Sequence, residues 1–454
     1  MYDTRVRQPY RKKTVSKGGA LIFGLGLGAL LATIVIVIGI AIPNISTRLQ
    51  YLPYYARTYY RKIVPHPNYL PTPAPTVSAG AVDSNAGPVQ LDLPAIDSNP
   101  SIEQVIPAAI NVDSEVVLLP ETADITVEDS LRQSQEQPGT GIAPQPVNEH
   151  VQLTGFTHQW QTWNNCGPAT ITTNMSYFGH SKTQVEAAQF LKPNSDDKNV
   201  SPHELAAYAR SVGMGAILRQ GGSVEQLKHF LNNDFPVLTE TWLVHDGDGL
   251  GHYRLITGYD DASGEFVTHD SLSGPNHRVS YQQFDSDWRV FNRLYLVVYP
   301  PQLAPAVSAI VGNDIDDTVL YERLAVEAQR EIEANPNDAI AYFNLGEARA
   351  RLGRYSEAVL AFDQARRLGL HWRRLWYQFT PFEAYYAAGR YQDVLDLAEA
   401  TLAGTGGLEE AYYYQGLALH VTGQGGAKEA FEAALAYNSN FTLAQNALDI
   451  LAAN

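Results

Sequence analysis

An uncharged, apolar run near the N-terminus constrains this chain more than any other feature. Residues 18–44 contain no charged side chain, and residues 20–42 are almost wholly apolar. A helix rises about 1.5 Å per residue, so about twenty such residues cross a hydrocarbon core about 30 Å thick. We therefore expect a transmembrane helix at residues 18–43. A cleaved signal peptide, which typically has a shorter apolar region, is the alternative.

Basic residues flank this run unequally. Within residues 1–62, six Lys or Arg residues precede the run and four follow it. Because cytoplasmic flanks carry the excess of Lys and Arg, residues 1–17 are expected to be a cytoplasmic basic segment. The sequence thus predicts a single-pass protein of the cell membrane whose C-terminal domains are extracytoplasmic.

The rest of the chain is acidic. The net charge of the 454 residues is −16, and residues 1–62 contribute +9, which leaves −25 for the remainder. Nucleic-acid binding needs a basic face for phosphate contacts, so no nucleic-acid partner is expected. The chain has a single cysteine, Cys166. One cysteine excludes intrachain disulfides and cysteine-rich zinc sites.

Residues 44–149 are typical of a juxtamembrane segment followed by a disordered linker. Thirteen of the 26 prolines fall within residues 64–150, together with twelve acidic residues and one basic residue. Low hydrophobicity with high net charge cannot offset the entropy lost when a chain becomes ordered. We expect an extended tether between the membrane and folded domains that begin near residue 150.

Cys166 stands at the start of a predicted helix. It is followed by Pro168, which suits a first helical turn because its missing N–H costs nothing there, and the helical pattern ends at Gly179. The helix dipole and the free N–H groups favour a thiolate at this position, so Cys166 is a candidate nucleophile. A buried structural cysteine is the alternative.

A thiolate nucleophile needs a base and a group that orients the base. Residues 252–259 and 265–270 are predicted to be antiparallel strands joined by a turn. Symmetry about residue 261 places His252 opposite Asp270, so that the carboxylate holds one imidazole nitrogen while the other faces Cys166. A slip by one residue would substitute His269 and turn Asp270 away. An ordinary structural pair in a hairpin is a further alternative.

The segment before the cysteine offers an oxyanion donor. Gln161 lies five residues upstream, and its amide can donate to an oxyanion together with the Cys166 backbone N–H. Gln159 is the rival donor if the segment is extended. Trp160 and Trp163 are expected to pack as core, with lining of a substrate cleft as the alternative.

These motifs together resemble a known family. They are the run from Gln161 through Cys166 to Ala169, the Gly251–Tyr253 and Gly258–Asp261 segments, Asp270, and a closing segment at residues 288–299. The set looks like bacterial papain-like cysteine peptidases of the double-glycine leader type, the peptidase family C-thirty-nine-like group.

This resemblance covers about residues 150–300, and we assign residues 150–302 to the domain. It implies an α+β papain-like fold and proteolysis by a hydrolase. It also implies that Cys166 is the nucleophile, His252 the base, Asp270 the orienting group and Gln161 the oxyanion residue. Exporter-fused relatives carry a phosphate-binding Gly-x-x-x-x-Gly-Lys-Ser/Thr loop, which this sequence lacks, so ATP-driven export is not encoded.

The middle of the domain reads as helices that precede the sheet. Ser201 and Glu204 form a capping-box pattern before a helix that ends at Gly213, and Ser223 starts another helix. Helices followed by antiparallel strands fit an α+β plan. Residues 245–249 lack the full calcium-loop pattern, so neither a metal nor another cofactor is expected.

The C-terminal residues 317–454 contain a repeat. Gly353-Arg-Tyr355 recurs as Gly389-Arg-Tyr391 after 36 residues, and Gly423 follows Gly389 by 34. A period near 34 is typical of helix–turn–helix repeats. The pattern resembles about three tetratricopeptide repeats, the middle one degenerate. The resemblance implies an all-α domain whose concave face binds a protein or peptide partner. A purely structural cap on the peptidase is the alternative.

Two functions are compatible with these patterns. The first is a membrane-anchored, extracytoplasmic cysteine peptidase that acts on a peptide or protein substrate. Its repeats would recruit a partner and would be dispensable for hydrolysis of a small peptide. The alternative is a non-catalytic, membrane-anchored scaffold that uses both domains only for binding. The complete Gln, Cys, His and Asp set favours the first function.

Overall fold

The computed structural model describes residues 69–73, 148–194, 197, 199–245 and 248–453. The predicted cytoplasmic segment, the predicted membrane helix at residues 18–43 and most of the predicted linker lie outside the described residues. Within the described ranges, no helix has both the length and the hydrophobicity needed to cross a bilayer.

An α+β domain comes first in the described chain and a helical region follows it. The α+β domain contains β1 (His150–Gln152), α1 (Cys166–Ser176), α2 (Gln184–Leu191), α3 (Pro202–Ser211), β2 (Gly215–Arg219), α4 (Val224–Asn232), β3 (Val237–His245), β4 (Asp248–Asp260), β5 (Glu265–Asp270), β6 (Gly274–Ser280), α5 (Tyr281–Trp288) and β7 (Tyr295–Tyr299). The helix α6 (Ala304–Val311) leads to the helical region.

The helical region (residues 317–453) consists of consecutive helices. These are α7 (Asp317–Ala334), α8 (Ala339–Arg351), α9 (Tyr355–Arg367), α10 (Thr380–Ala387), α11 (Tyr391–Thr405), α12 (Glu409–Thr422), α13 (Ala427–Tyr437) and α14 (Thr442–Ala453), with a 3₁₀ turn at Trp372–Trp376. The prediction of an α+β domain followed by a helical region is confirmed.

The sheet is antiparallel and has apolar side chains on both faces. Its strand order is β2-β7-β3-β4-β5-β6, and β1 pairs with β4. Neighbouring strand residues enter different apolar clusters: Leu255 and Leu296 pack with α1 and α3, whereas Ile256 and Val297 pack with α4 and α5. This alternation follows from the two-residue period of a strand. Helices therefore cover both faces of the central strands.

Local capping fixes where the helices of the α+β domain begin. The predicted capping box is confirmed: Ser201 accepts from Glu204 N–H, and the Glu204 carboxylate accepts from the Ser201 backbone. Thr183 and Glu186 form a second box before α2. Ser223 caps α4, as predicted. Each box pairs two helix-end N–H groups with side chains, so α2 and α3 start at fixed residues.

Three strands were not predicted from the sequence, namely the three-residue β1 and the strands β2 and β6. β2 is only five residues long, and β6 begins with Gly274 and Pro275 and exposes several of its residues. Both lie at edges of the sheet. Edge strands are short and polar because a long apolar edge would pair with other chains, so their sequences lack a clear strand pattern.

The helical region has its own apolar core, in which two glycines occupy equivalent places. A Cβ on Gly346 of α8 would lie 2.7 Å from the Phe362 ring of α9. A Cβ on Gly416 of α12 would lie 2.6 Å from the Phe431 ring of α13. Two helix pairs therefore pack through the same small-residue-to-phenylalanine contact.

A short segment within the predicted linker lies against the helical region. Leu70 is buried in the core of that region and donates its N–H to Leu370 O at 2.9 Å. Tyr69 forms an antiparallel bridge with His371, and Arg366 donates to Pro71 O at 2.8 Å. Residues 69–73 therefore have fixed contacts with the helices.

Carboxylates from both parts of the described chain meet in a buried cluster. Its members are Asp197 and Glu204 of the α+β domain and Glu409 and Glu410 of α12. Asn199 donates to Glu410 at 3.3 Å, and Asn438 donates to Glu409 at 3.2 Å. Burial and the neighbouring acids raise the pKa of Asp197 to about 9, although Lys192 opposes this shift. The cluster lies where the α+β domain contacts the helical region, and this contact depends on whether its carboxylates are protonated.

Replacing Glu204 by Gln should stabilise the protein at alkaline pH. Burial, together with the charge of Glu409, raises the pKa of Glu204 from 4.5 to about 7, despite the bonds from Ser201. As pH rises, the unfolded chain therefore loses this proton at a lower pH than the folded protein does. The free energy of unfolding thus decreases between about pH 4.5 and about pH 7. We expect Glu204→Gln to gain on the order of 1 to 3 kcal/mol at pH 8 and little near pH 4.5, measured by denaturant unfolding.

Glu186→Gln is the matched control. Glu186 occupies the same capping-box position in α2 but is exposed, and the Thr183 N–H and Lys182 lower its pKa. Its replacement should give no gain at pH 8. Equal effects of the two substitutions would contradict the electrostatic explanation.

Candidate active site

Cys166 is the first residue of α1, as predicted. Asn164 adopts a left-handed conformation with φ of 56° just before the helix. Lys192 donates to Asn164 O at 2.9 Å, and Asn165 donates to Thr162 Oγ1 at 2.8 Å. These bonds hold the bend that places the cysteine at the helix N-terminus. There the N–H groups of the first turn, which have no carbonyl partner within the helix, and the helix dipole favour a thiolate.

His252 and Asp270 are hydrogen-bonded, although not in the predicted register. Nε2 of His252 lies 2.9 Å from Oδ1 of Asp270, and both side chains are buried. The residue directly opposite Asp270 is Arg254, whereas the sequence predicted His252 there. The predicted register is therefore wrong by two residues. A two-residue offset keeps His252 on the same face, so the two side chains still meet diagonally.

A bulge in β4 decides which face His252 occupies. Near the turn, Asp260 pairs with Glu265, and Thr257 is then the extra residue between the pairs Ile256–Thr268 and Gly258–Val267. Without that extra residue, the pairing would continue so that Leu255 faced Asp270, and His252 would lie on the other face of the sheet. The bulge thus restores the parity that brings His252 to Asp270.

His269 does not take the place of His252 beside Asp270. It lies on the other face of β5, where its Nδ1 is 3.3 Å from Nδ1 of His158 and its ring contacts Phe156. Burial and the neighbouring His158 lower the pKa of His269 to about 4. His269 is therefore neutral at physiological pH and is directed away from Asp270.

The Asp270 carboxylate is surrounded by donors that the sequence analysis did not identify. Besides His252, Oδ1 accepts from the backbone N–H groups of Leu272 and Ser273 at 2.8 and 2.9 Å. Oδ2 accepts from Arg254 Nε at 3.0 Å. Arg254 stands two residues after His252 in β4. Because every second side chain of a strand lies on the same face, this spacing is the sequence signal that could have identified Arg254. The amides of the following turn leave no such signal.

Charge interactions at the site favour an ion pair between cysteine and histidine. Burial opposes the charged form of Cys166, but His252 and the backbone of Tyr253 and Gly167 lower the pKa of the thiol. Burial likewise opposes the charge of His252, but Asp270 and the cysteine raise its pKa to about 9. Burial also opposes the charge on Asp270, yet His252 and Arg254 hold the pKa of this carboxyl far below its ordinary value. Both shifts move the pair toward a thiolate beside an imidazolium.

Gln161 is buried beside the strand end that carries Asp270. Its N–H donates to Ser271 O at 3.0 Å, and its side-chain Oε1 accepts from Ser271 Oγ at 2.8 Å. This second bond uses the amide oxygen and not the amide nitrogen, which is the donor that an oxyanion requires. Gln159 points elsewhere, because its side chain bonds Gln184 N at 2.7 Å and Lys182 O at 3.0 Å.

The two tryptophans are not core residues. Trp160 and Trp163 are 38% and 42% exposed, so the prediction that they pack as core is wrong. Trp160 covers Gly274, and the preceding chain is fixed to α2 by a bond from Gln184 to Trp160 O. Backbone bonds hold this segment at the surface, so the rings stay partly exposed instead of entering the interior.

The described part of the chain contains no group of three or more His, Cys, Asp or Glu side chains arranged to hold a metal ion. The chemistry of the site is that of a thiol, an imidazole, a carboxylate and an amide. These four groups are the components of nucleophilic acyl transfer.

The candidate site lies within a part of the chain that is similar to a known family. Residues 146–296 match the model of the Peptidase_C39 like family. Residues 146–296 are therefore similar to the Peptidase_C39 like family. No curated protein matches the chain.

Solved structures show a distant likeness. The peptidase domain of Streptococcus ComA, described as a bi-functional ABC transporter involved in a quorum sensing pathway, is 17% identical, with a TM-score of 0.27. The match covers 32% of this chain and 99% of that one. A C39-like peptidase from Bacillus anthracis is 15% identical, with a TM-score of 0.28 over 33% of this chain and 98% of that one.

A third structure matches the chain over a similar share. MamA from Desulfovibrio magneticus RS-1 is 23% identical, with a TM-score of 0.24, and the match covers 29% of this chain and 82% of that one.

Replacing Arg254 should destabilise the protein far more than replacing Arg278. Arg254 is buried against Asp270, so Arg254→Met leaves a buried carboxylate with fewer partners and is expected to cost about 3 kcal/mol. Arg278 pairs with Glu265 and Asp260 on an exposed surface, so Arg278→Met should cost less than about 1 kcal/mol. Denaturant unfolding of both variants measures the difference. Similar costs would show that Asp270 does not depend on Arg254.

Proposed function

We propose that this protein is a membrane-anchored, extracytoplasmic cysteine peptidase that hydrolyses peptide bonds. One observation carries the proposal: a cysteine at a helix N-terminus interacts with a histidine that is hydrogen-bonded to a buried aspartate. The match of residues 146–296 to the Peptidase_C39 like family supports it. The proposed roles are nucleophile for Cys166, base for His252, orienting group for Asp270 and oxyanion donor for Gln161.

The first half of the reaction forms an acyl-enzyme. The Cys166 thiolate attacks the carbonyl carbon of the scissile bond, and the carbonyl oxygen becomes an oxyanion. Two donors are available for this oxyanion: the backbone N–H of Cys166 in the first turn of α1 and the Gln161 side-chain amide. When the C–N bond breaks, the His252 imidazolium gives its proton to the leaving amine, and a thioester remains.

The second half regenerates the thiolate. Neutral His252 removes a proton from water, and the resulting nucleophile attacks the thioester carbon. The C–S bond then breaks, which releases the acid product and returns the thiolate–imidazolium pair. Asp270 stays ionised throughout, because Arg254 and two backbone amides hold its charge, and it keeps the His252 ring in one orientation.

We assign recruitment of a protein or peptide to the helical region as tetratricopeptide repeats. The equivalent contacts of Gly346 with Phe362 and of Gly416 with Phe431 support a repeated helix pair. Stacked pairs of this kind leave a concave face that binds peptides or proteins. If the thiol proves inert toward all peptides, the same binding surfaces support the scaffold function instead.

Substitutions at the four site residues test the peptidase directly. Cys166→Ala should reduce peptide hydrolysis to background, and His252→Ala should cost nearly as much, because nucleophile and base act as one unit. Asp270→Asn should lower turnover by up to about 10⁴-fold, and less if the ion pair forms without it. Gln161→Ala should lower turnover about 10²- to 10³-fold with little change in KM. Digestion of a peptide library gives the substrate for these assays.

Two nearby residues serve as controls. Gln159→Ala and His269→Ala change the rival donor and the rival histidine, and both should retain most of the turnover. If His269→Ala inactivates the protein while His252→Ala does not, the register described above is not the functional one. Full activity of Cys166→Ala would remove the peptidase proposal altogether.

The proposed anchor at residues 18–43 predicts a defined topology. Six bases before the apolar run and four after it favour a cytoplasmic N-terminus. Protease added to cells stripped of wall and outer membrane should therefore digest the folded domains while a cytoplasmic marker protein survives. Digestion of both after permeabilisation is the control. Survival of the folded domains in the stripped but unpermeabilised cells would contradict this topology.

A further inference from the structure

The helical region contacts the hairpin formed by β3 and β4, and β4 carries His252. The contact comes from residues 370–379, between α9 and α10, where the 3₁₀ turn Trp372–Trp376 precedes α10. This is the degenerate part of the repeat pattern. Arg373 donates to Gly249 O at 2.7 Å, and Gly249 lies in β4, three residues before His252.

Aromatic side chains extend this contact toward the site. The Tyr377 ring packs edge-on against Trp242 of β3 at 6.2 Å and against Phe291 at 5.8 Å between ring centroids. Trp242 pairs with Gly251 in the sheet, so the cluster spans both strands of the hairpin. An aromatic cluster of this kind restricts the position of the hairpin through many close contacts.

The contact is tightest at Gly251, the residue before His252. A Cβ on Gly251 would lie 2.9 Å from Cε1 and Cζ of the Tyr377 ring, which is closer than side chains pack. The ring therefore lies directly on the β4 backbone, one residue from the histidine. Gly251 has no positive φ in the structure, so its need for glycine comes from the approach of Tyr377 and not from its own backbone conformation.

The electrostatics agree with this proximity. Burial raises the pKa of Tyr377, and the charges of Cys166 and Glu240 raise it further, although Arg373 and the Gly251 backbone oppose the shift. The phenol therefore stays protonated at physiological pH, close enough to the cysteine to sense its charge.

We propose that Tyr377 is a positioning residue of the active site: its ring presses on Gly251 and thereby fixes the β4 segment that holds His252 beside Cys166. The inference rests on the proposed peptidase function. It makes the helical region a structural part of the active site, and it replaces the expectation that the repeats are dispensable for hydrolysis of small peptides.

The test measures the alkylation of Cys166 as a function of pH in the full chain. Because Cys166 is the only cysteine, iodoacetamide reports on one thiol. Tyr377→Ala should raise the apparent pKa of Cys166 by about one unit, which moves the midpoint of the alkylation profile to higher pH and slows alkylation about tenfold at pH values well below that midpoint. In peptide hydrolysis, kcat should fall while KM stays within about twofold.

Tyr413→Ala is the matched control. Tyr413 is a buried tyrosine in α12 whose ring packs within the helical core. Its loss should reduce thermal stability as much as the loss of Tyr377, but it should leave the alkylation profile unchanged. A profile that shifted equally in both variants would show general loosening and would overturn the positioning role.

Gly251→Ala provides the reciprocal test. The added methyl group would collide with the Tyr377 ring, so this variant should also shift the alkylation profile. The double variant Gly251→Ala/Tyr377→Ala should be less impaired than the two single effects combined, because the ring that causes the collision is gone. If Tyr377→Ala does not fold, Gly251→Ala and Tyr377→Leu give the same readout.

The outcomes separate this inference from the function on which it rests. If His252→Ala shifts the profile but folded Tyr377→Ala, Tyr377→Leu and Gly251→Ala do not, the positioning role is wrong and the peptidase proposal stands. If His252→Ala leaves the profile unchanged and Cys166→Ala retains hydrolysis, the peptidase proposal itself fails. A shift in both Tyr377 and Gly251 variants, with none in Tyr413→Ala, supports the inference.

Discussion

The buried carboxylate of Asp270 is the group on which the arrangement of the site depends. An ionised carboxylate in the interior is costly unless every lone pair has a partner. Here one oxygen accepts from His252 and from two backbone amides, and the other accepts from Arg254. These bonds tie β4 to the turn after β5. The same four donors keep the charge in place, and that charge is what favours the imidazolium beside Cys166.

Two contacts of different character join the α+β domain to the helical region: one is acidic and the other is aromatic. On one side an acidic cluster brings Glu204 of the α+β domain against Glu409 and Glu410, so protonation affects the contact. On the other side an aromatic contact places Tyr377 on Gly251. The second contact lies next to the candidate histidine. A helical region attached in this way contributes directly to the packing of the α+β domain.

The sequence predicted the helices and strands better than it predicted which residues of neighbouring strands pair. Hydrophobic alternation found β4 and β5, and capping patterns found the starts of α3 and α4, because these signals are local. The extra residue Thr257 left no signal, and the register depends on it. The exposed Trp160 and Trp163 were wrongly predicted as core, since composition indicates that a tryptophan is apolar but not whether the backbone around it is held at the surface.

The sequence by itself determined the four side chains of the candidate site and the position of Cys166 at a helix start, because residue type and local spacing are properties of the chain. It also determined that helices precede an antiparallel sheet and that a helical region follows. Only the tertiary structure decided that Arg254 and Ser271 support the site and that Tyr377 reaches it. Those contacts join residues from 16 to 126 positions apart, and no local pattern encodes which distant surfaces come together.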